Sequence, residues 1–322
     1  MNARALPLMA VVLWATTALA APAEWRGEWP NTDFSRHSVD YAEIISGGPP
    51  RDGIPAIDAP RFKALDAVDL ADSAPVIGLT VNGDSRAYPL GILTWHEIAN
   101  DTVGEVPVAV TYCPLCNAAI VFDRRVGGQV LSFGTTGKLR HSDLVMYDRQ
   151  SESWWQQFTG AAIVGARTGT VLETLPARLE SFADFRRRAP DGKVLVPTDP
   201  DLRDYGKTPY VGYDSAGFPF LFRGEVPGGV APLGRVIVIG DRAWTFDLLR
   251  ARGQVEVDDL VLTWRAGQSS ALDTRRIADG RDVGGVIAQR RVDGTLVDTD
   301  HHITFAFVFF AFQPDRRFPM TV

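Results

Sequence analysis

The chain has 322 residues, of which 45% are hydrophobic and 22% charged, and its formal net charge is −6. This composition is that of a folded globular protein, and the mildly acidic balance without a basic cluster argues against nucleic acid and anionic membranes as partners. Two cysteines in so long a chain exclude a disulfide framework, so stability must come from the burial of apolar side chains.

The amino end reads as a secretory signal peptide. Arg4 precedes an apolar stretch over residues 5–17 and the small residues Ala18-Leu19-Ala20, which match the charged, apolar and small-residue zones of such a signal. We therefore predict cleavage near Ala20 and a periplasmic or secreted mature protein. The apolar run is too short for a stable membrane span and no later segment is long enough, so the mature chain is predicted to have no transmembrane segment.

Two stretches of the chain match each other and predict an internal repeat. Residues 76–93 and 236–249 are each predicted to form two strands joined by a turn. Both stretches have Gly-Asp at the turn, and then Arg-Ala followed by an aromatic residue. A second match pairs residues 169–191 with 294–315. A repeat present only twice suggests a duplication that gives a pseudo-twofold pair, because a solenoid needs several units. The second copy is shorter, and we expect the missing stretch to include the counterpart of the cysteine loop.

This repeat defines the predicted organisation and fold class. Helices are predicted only over residues 90–100, 181–188 and 304–312, the second of which begins with Ser181 and Asp184 placed as a capping box. The fold class is therefore mainly β with a few short helices (α+β), built as an internally duplicated, pseudo-twofold pair of β-rich units. The predicted segments are a signal peptide (1–20), an amino-terminal arm (21–75), a first repeat unit that carries the cysteines (76–191), an ordered connection (192–234) and a second, shortened repeat unit (235–322).

Cys113 and Cys116 stand in the sequence Tyr-Cys-Pro-Leu-Cys-Asn, and β-branched and aromatic residues flank it on both sides. These flanks predict a turn between two strands, whereas the thioredoxin motif follows a strand and opens a helix. Cys-Pro-x-Cys is also the sequence of a rubredoxin or zinc-ribbon knuckle, in which the residue after the second cysteine takes a left-handed conformation, and Asn117 accepts that conformation. A second cysteine pair is missing, so a complete four-ligand site would need histidines or carboxylates.

Three histidines are candidates to complete such a site. His96 shortly precedes the strand that leads to the cysteines, and His301 and His302 precede an aromatic helix in the second copy. With the two cysteines, His96 and one of His301 or His302 supply the four donors of a tetrahedral Zn(II) site, and the same soft donors would hold Cu(I). Glu97, beside His96, would then be a base or a partner of a ligand. The alternative is that these histidines only bond to backbone or cap helices.

Three carboxylates, Asp143, Asp148 and Glu152, form another candidate cluster. Paired carboxylates can do acid and base work or bind a hard cation. The same stretch also fits a half-buried strand with a turn at Asp148, followed by Trp154 and Trp155 covering the core.

Six blocks occur in order along the chain: residues 83–89, 95–101, 112–116, 122–124, 142–149 and 203–206. Together they resemble a bacterial and archaeal family called domain of unknown function 3179. The resemblance runs from about Val76 to Pro314 and implies no reaction, because the family has no activity to carry over. Asn117 departs from the glycine usual in the family, and His141 stands where the family more often has asparagine, which makes His141 a poor candidate ligand.

Three classes of function remain open from the residues. The first is an exported protein that binds zinc or copper through the cysteine knuckle, at the interface of the two repeat units. The second is a periplasmic thiol–disulfide oxidoreductase, in which one thiolate attacks a substrate disulfide and the other resolves the mixed disulfide. The third is a non-enzymatic ligand-binding or structural protein whose cysteines are closed as a disulfide. The absence of a strand-to-helix context weighs against the second class, and the knuckle sequence favours the first.

Overall fold

The structure is a computed structural model that describes residues 21–316, so the predicted signal peptide over residues 1–20 lies outside the described residues. The described chain is mainly β, and its helices are short. Within it, no helix is both long and apolar enough to span a bilayer.

The elements fall into three consecutive stretches. The first holds α1 (Ala23–Glu28), β1 (Ile44–Ser46), β2 (Arg61–Ala64), β3 (Pro75–Val81), β4 (Asp84–Pro89), α2 (Leu90–Leu93), β5 (Ile98–Val103), β6 (Val106–Cys113) and β7 (Ala118–Asp123). The second holds β8 (Arg125–Val126), β9 (Gln129–Val130), β10 (Phe133–Arg140), β11 (Asp143–Asp148), β12 (Trp154–Gln156), β13 (Ala162–Val164), β14 (Thr174–Leu175), β15 (Ala177–Ser181), α3 (Phe182–Arg188) and β16 (Lys193–Val196). The third holds β17 (Arg235–Ile239), β18 (Arg242–Thr245), α4 (Phe246–Arg252), β19 (Gln254–Val257), β20 (Leu260–Arg265), β21 (Gly285–Val292), β22 (Thr295–Asp298), β23 (His302–Phe305) and α5 (Ala306–Phe312).

Two units have the same order of elements. In the first unit, β3 and β4 form a hairpin that leads into α2, the strands β5, β6 and β7 form a meander with β14 at its edge, and β15 returns to pair with β3 before α3. In the second unit, β17 and β18 form a hairpin that leads into α4, the strands β19, β20 and β21 form a meander with β22 at its edge, and β23 returns to pair with β17 before α5. The matched segments of the sequence therefore have the same local fold.

The units also contact each other through corresponding strands. Strand β23 of the second unit packs against β7 of the first, and β15 of the first packs against β21 of the second. At this interface Phe305 N–H donates to the carbonyl of Cys116 at 3.0 Å, and the Thr304 hydroxyl donates to the same carbonyl at 2.9 Å. The cysteine loop thus lies where the two units meet.

The units differ in the segment after the third strand of the meander. In the first unit, residues 124–173 separate β7 from β14 and supply β8 to β13, whereas only Asp293 and Gly294 separate β21 from β22. We expected the shorter copy to lack the counterpart of the cysteine loop, and the element order shows that this expectation is wrong. Residues 266–284 stand between β20 and β21, where the first unit has its cysteines, and the missing part is the inserted sheet instead.

Helix predictions from the sequence hold in part. Helix α3 begins after Ser181, whose hydroxyl accepts from the N–H of Asp184 at 3.1 Å, as the capping box predicts. The helix predicted over residues 90–100 is wrong beyond Leu93, because Glu97 takes a left-handed φ of 58° and Ile98 begins a strand.

In the inserted sheet, strands β10 to β13 of the insertion pair with β1 of the arm in the order β1-β10-β11-β12-β13, and side chains of the amino-terminal arm cover one face. Trp154 of β12 is fully buried there, and its ring centroid lies 5.0 Å from that of Trp25. The other face carries Trp155, whose ring lies 5.8 Å from that of Phe133. Trp155 and Phe133 belong to the same buried apolar cluster as residues of β6 and β7, so this face packs the sheet against the first unit.

Candidate metal centre

The cysteines occupy a tight turn at the end of a β-hairpin. Cys113 pairs with Ala118 across β6 and β7, Cys116 N–H donates to the Cys113 carbonyl at 3.2 Å, and Asn117 N–H donates to the Pro114 carbonyl at 3.1 Å. Asn117 has a φ of 49°, the left-handed conformation that the knuckle sequence predicts. The prediction of a turn between two strands is therefore confirmed.

Cys113, Cys116 and Asp143 come together in the interior. The two sulfur atoms and a carboxylate oxygen of Asp143 all lie within 4.8 Å of one another. Their exposed fractions are 2%, 0% and 0%, and both cysteines are free thiols. Among the described residues, no other histidine, cysteine, aspartate or glutamate completes this group at the same spacing.

Asp143 reaches the sulfur atoms through the turn of the hairpin β10–β11. Arg140 pairs with Asp143, so the turn consists of His141 and Ser142 alone, and their φ values are 55° and 64°. Two consecutive positive φ angles are those of a type I′ turn, where asparagine and glycine are the usual residues. The Ser142 hydroxyl donates to the carbonyl of Phe220 at 2.6 Å and so ties this turn to the connection between the units.

The two oxygens of the Asp143 carboxylate have different surroundings. Oδ2 accepts from Gln156 Nε2 at 2.6 Å and from the N–H of Phe158 at 2.8 Å. Oδ1 is buried and has no hydrogen-bond partner in the described part of the chain. A buried carboxylate oxygen without a partner is costly, so Oδ1 is the atom of this group that most needs a cation or a donor.

Both thiols point at one backbone carbonyl. Cys116 Sγ lies 3.4 Å and Cys113 Sγ 3.7 Å from the carbonyl oxygen of Ser142, as donors to that oxygen. The loop is covered from the outside by the connection, since the Tyr213 hydroxyl donates to the carbonyl of Leu115 at 2.9 Å.

The site gathers acidic groups without compensating charge. Burial raises the pKa of both cysteine thiols, and it raises the pKa of Asp143 to about 6 against the hydrogen bonds from Phe158 and Gln156. Burial and then the charge of Asp143 raise the pKa of Glu97 to about 8. Within the described residues, no lysine or arginine forms an ion pair with Asp143 or Glu97. The electrostatics therefore favour a cation, which would lower each of these pKa values.

A family model described as Protein of unknown function (DUF3179) matches residues 51–316. The chain belongs to this family. The matched range contains both units and all three residues of the candidate centre. No curated protein and no solved structure matches the chain.

Two sequence blocks through which the chain resembles the family meet at His96. Its Nδ1 bonds to the carbonyl of Pro55 at 2.7 Å and its Nε2 to the hydroxyl of Tyr205 at 2.7 Å. Because a carbonyl only accepts, Nδ1 carries the proton and Nε2 accepts from the tyrosine. With both nitrogens engaged, His96 is not part of the group around the sulfur atoms.

The two histidines of the second unit also lie outside the group. His301 Nδ1 bonds to the carbonyl of Thr299 at 2.9 Å. His302 begins β23, and its ring centroid lies 5.6 Å from that of Phe158, while its Nδ1 is buried without a partner in the described chain. The structure therefore groups the two cysteines with Asp143, and not with His96, His301 or His302 as the sequence predicted.

The other carboxylate candidates have separate surroundings. Asp148 caps its own turn by accepting from Ser151, and it also accepts from Trp155 Nε1 at 2.9 Å. Glu152 holds the arm, since it accepts from Arg51 at 3.0 Å and from the N–H of Asn31 at 3.1 Å. Both fit the structural interpretation of this cluster, and only Asp143 belongs to the centre.

The sequence reasoning missed three contributors: the carbonyl of Ser142, the amide of Gln156 and the N–H of Phe158. Ser142 and Asp143 lie in one of the blocks through which the chain resembles the family, and this was the available signal. Backbone groups carry no residue-type signature, so their part in a site emerges only from the fold.

Proposed function

We propose that the protein binds one thiophilic metal ion, zinc or copper, through Cys113, Cys116 and Asp143. The observation that carries this proposal is the meeting of two thiols and a partnerless carboxylate oxygen within 4.8 Å in the interior. Buried ionisable groups of one sign are stable only when they are protonated or neutralised by a cation. A bound metal ion would supply the positive charge that neutralises these groups, and it would displace the thiol protons.

The donor types narrow the choice of metal. Two thiolates select soft or borderline ions, and Zn(II) and Cu(I) are the ones that thiolates hold in proteins. The carboxylate oxygen favours Zn(II), because Cu(I) prefers sulfur and imidazole donors. Thiolate ligation also accounts for a lone cysteine pair kept reduced in an oxidising compartment.

The test is a competition titration of the full reduced, metal-free protein with Zn(II) and with Cu(I) against a chromophoric chelator. We expect one equivalent to bind and to protect both thiols from alkylation. Cys116→Ser should weaken binding at least about a hundredfold, because a direct ligand contributes more than an outer partner. Met146→Leu is the matched control, since it removes another buried sulfur atom and conserves volume, and it should bind like the parent protein. Equal binding by Cys116→Ser would refute the proposal.

Thiol–disulfide exchange is the second candidate, and one observation favours it. The Asp143 carboxyl lies beside both thiols and can accept a proton from the resolving cysteine. However, the sulfur atoms are buried and burial raises their pKa, whereas an attacking thiol must be accessible and ionised. A reversible Cys113–Cys116 disulfide in protein that binds neither metal would make this the better function.

We also propose that the protein is exported and that its two units arose by duplication. The signal-like residues 1–20 support export, and recovery of a chain that begins after Ala20 from the periplasm would test it. The same element order in both units supports duplication. An independent superposition in an experimental structure, with β3 on β17 and β6 on β20, is the test. The expectation of no nucleic-acid partner remains a prediction from the acidic charge.

A further inference from the structure

We propose that the carbonyl oxygen of Ser142 is the fourth ligand of the metal, so that protein atoms close the centre and leave no position for water. This inference rests on the proposed function, because it names a further ligand of the same site. Its starting point is that two thiols converge on one oxygen, at 3.4 Å for Cys116 and 3.7 Å for Cys113.

The space between these three atoms suits a cation. The carbonyl oxygen of Ser142 has two lone pairs, and both sulfur atoms face it in the interior. A metal ion bound there would contact the oxygen and both sulfur atoms together, in the place of the two thiol protons.

The distances already match those between ligands of one metal ion. With Zn–S near 2.3 Å and Zn–O near 2.0 Å, sulfur and oxygen ligands of a tetrahedral site lie about 3.5 Å apart. The two separations from the Ser142 oxygen bracket this value. Asp143, the next residue, offers the second oxygen, and Oδ1 has no other partner in the described chain. Backbone oxygen also serves as a weak additional ligand of copper in some proteins.

The surroundings hold this carbonyl in place. His141 and Ser142 both have positive φ angles, which cost energy for residues other than glycine and persist only where neighbours impose them. The strand pairing of Arg140 with Asp143 imposes the turn from inside, and the hydrogen bond from the Ser142 hydroxyl to Phe220 fixes it from outside. The carbonyl is thus directed at the sulfur atoms before any metal binds.

A closed site of two sulfurs and two oxygens is a structural or storage centre. A catalytic zinc ion keeps one position for water or substrate, and this position is the one that Ser142 fills.

Substitution of Co(II) into the full reduced protein tests the inference, with electron paramagnetic resonance recorded in ordinary and in ¹⁷O-enriched water. We expect no line broadening by ¹⁷O, and X-ray absorption of the zinc form should show two sulfur and two oxygen or nitrogen ligands. Broadening by ¹⁷O would overturn the inference, because it places water on the metal.

Two variants of Ser142 separate the carbonyl from the side chain. Ser142→Gly loses the hydroxyl that bonds to Phe220 but keeps the positive φ and the carbonyl, so its affinity should fall no more than about threefold, again without broadening. Ser142→Val disfavours a positive φ, so its affinity should fall at least about fivefold and ¹⁷O broadening should appear. Unchanged affinity and spectrum in a folded Ser142→Val protein would contradict the inference, and if that variant does not fold, the spectrum of the parent protein decides.

Failure of the inference differs from failure of the proposed function. If neither Zn(II) nor Cu(I) binds, or if Cys116→Ser binds them as well as the parent protein does, the proposed function fails. If both cysteines bind the metal and ¹⁷O broadens the signal, the metal site stands and only the fourth ligand is wrong.

Discussion

The loop between β6 and β7 and the loop between β20 and β21 take the same place in the two units, but their surroundings differ. Residues 114–117 make a tight turn, and Cys116 in this turn and Cys113 just before it face the inserted sheet, whereas residues 266–284 form a longer loop without cysteine. Asp282 in that longer loop accepts from the N–H groups of Gly267 and Gly284 and so organises the loop itself.

This difference shows what the centre requires beyond the common architecture. Ser142, Asp143, Gln156 and Phe158 all come from the segment inserted between β7 and β14, and the second unit has no counterpart of it. The cysteine turn supplies two donors, and the inserted sheet supplies the oxygen atoms and their hydrogen-bond partners. We infer that the elements common to both units position the cysteine turn and that the insertion supplies the remaining candidate ligands.

The largest expected effect is a loss of stability when either unit loses its corresponding buried isoleucine. Ile77 and Ile237 are fully buried at the centres of β3 and β17, where they pair with Leu179 and Ile303. Ile77→Ala and Ile237→Ala should each lower the free energy of unfolding by about 2–5 kcal/mol, through lost burial and a residual cavity. Chemical denaturation measures both. A loss confined to one variant would show that the units are not equivalent in packing.

Asp143→Asn should lower metal affinity, whereas the same substitution in the second unit should not. It keeps the shape of the side chain but removes the charge, so metal affinity should fall at least about a hundredfold, more than the loss of an outer partner costs. Asp282→Asn, in the loop of the second unit that takes the place of the cysteine turn, should leave affinity unchanged. Titration against a chelator compares the two, and equal affinities would remove Asp143 from the ligand set.

A pH profile of the metal-free protein should identify the buried acid next to the centre. Because the pKa of Glu97 is raised to about 8, the folded state holds a proton that the unfolded state has lost. The free energy of unfolding should therefore fall as pH rises from about 5 to about 8, and Glu97→Gln should remove about 3 kcal/mol of this dependence. Glu105, another glutamate with a positive φ but exposed, is the matched control. Parallel profiles for Glu97→Gln and the parent protein would contradict this account.

The smallest expected effect on metal affinity comes from loss of the hydrogen bond that Gln156 donates to the Asp143 carboxylate. Gln156→Leu removes the donor to Asp143 Oδ2, so metal affinity should fall about tenfold. Gln289 makes the same kind of contact with Asp298 at 3.1 Å in the second unit, and Gln289→Leu should not change affinity. An equal effect of both substitutions on affinity would mean that the change acts through general stability.

The sequence allowed the local features to be predicted. Asn117 after the second cysteine indicated the left-handed turn, and Ser181 with Asp184 indicated the start of α3. The group of Cys113, Cys116 and Asp143 could not be predicted, because it depends on which distant residues the fold brings to the sulfur atoms. His96 was a reasonable candidate from its place before β6, but Pro55 and Tyr205 occupy both its nitrogens. Asp143 and Asp148 look alike in sequence, and only the turn at Ser142 distinguishes them.

Elemental analysis of the purified full chain, combined with a count of reactive thiols, tests the central claim most directly. We predict close to one zinc or copper ion per chain and two cysteines that resist alkylation until a chelator removes the metal. Cys113→Ser protein, purified in the same way, should contain little metal. Metal-free protein with a Cys113–Cys116 disulfide, or an unchanged metal content in the Cys113→Ser protein, would contradict the account.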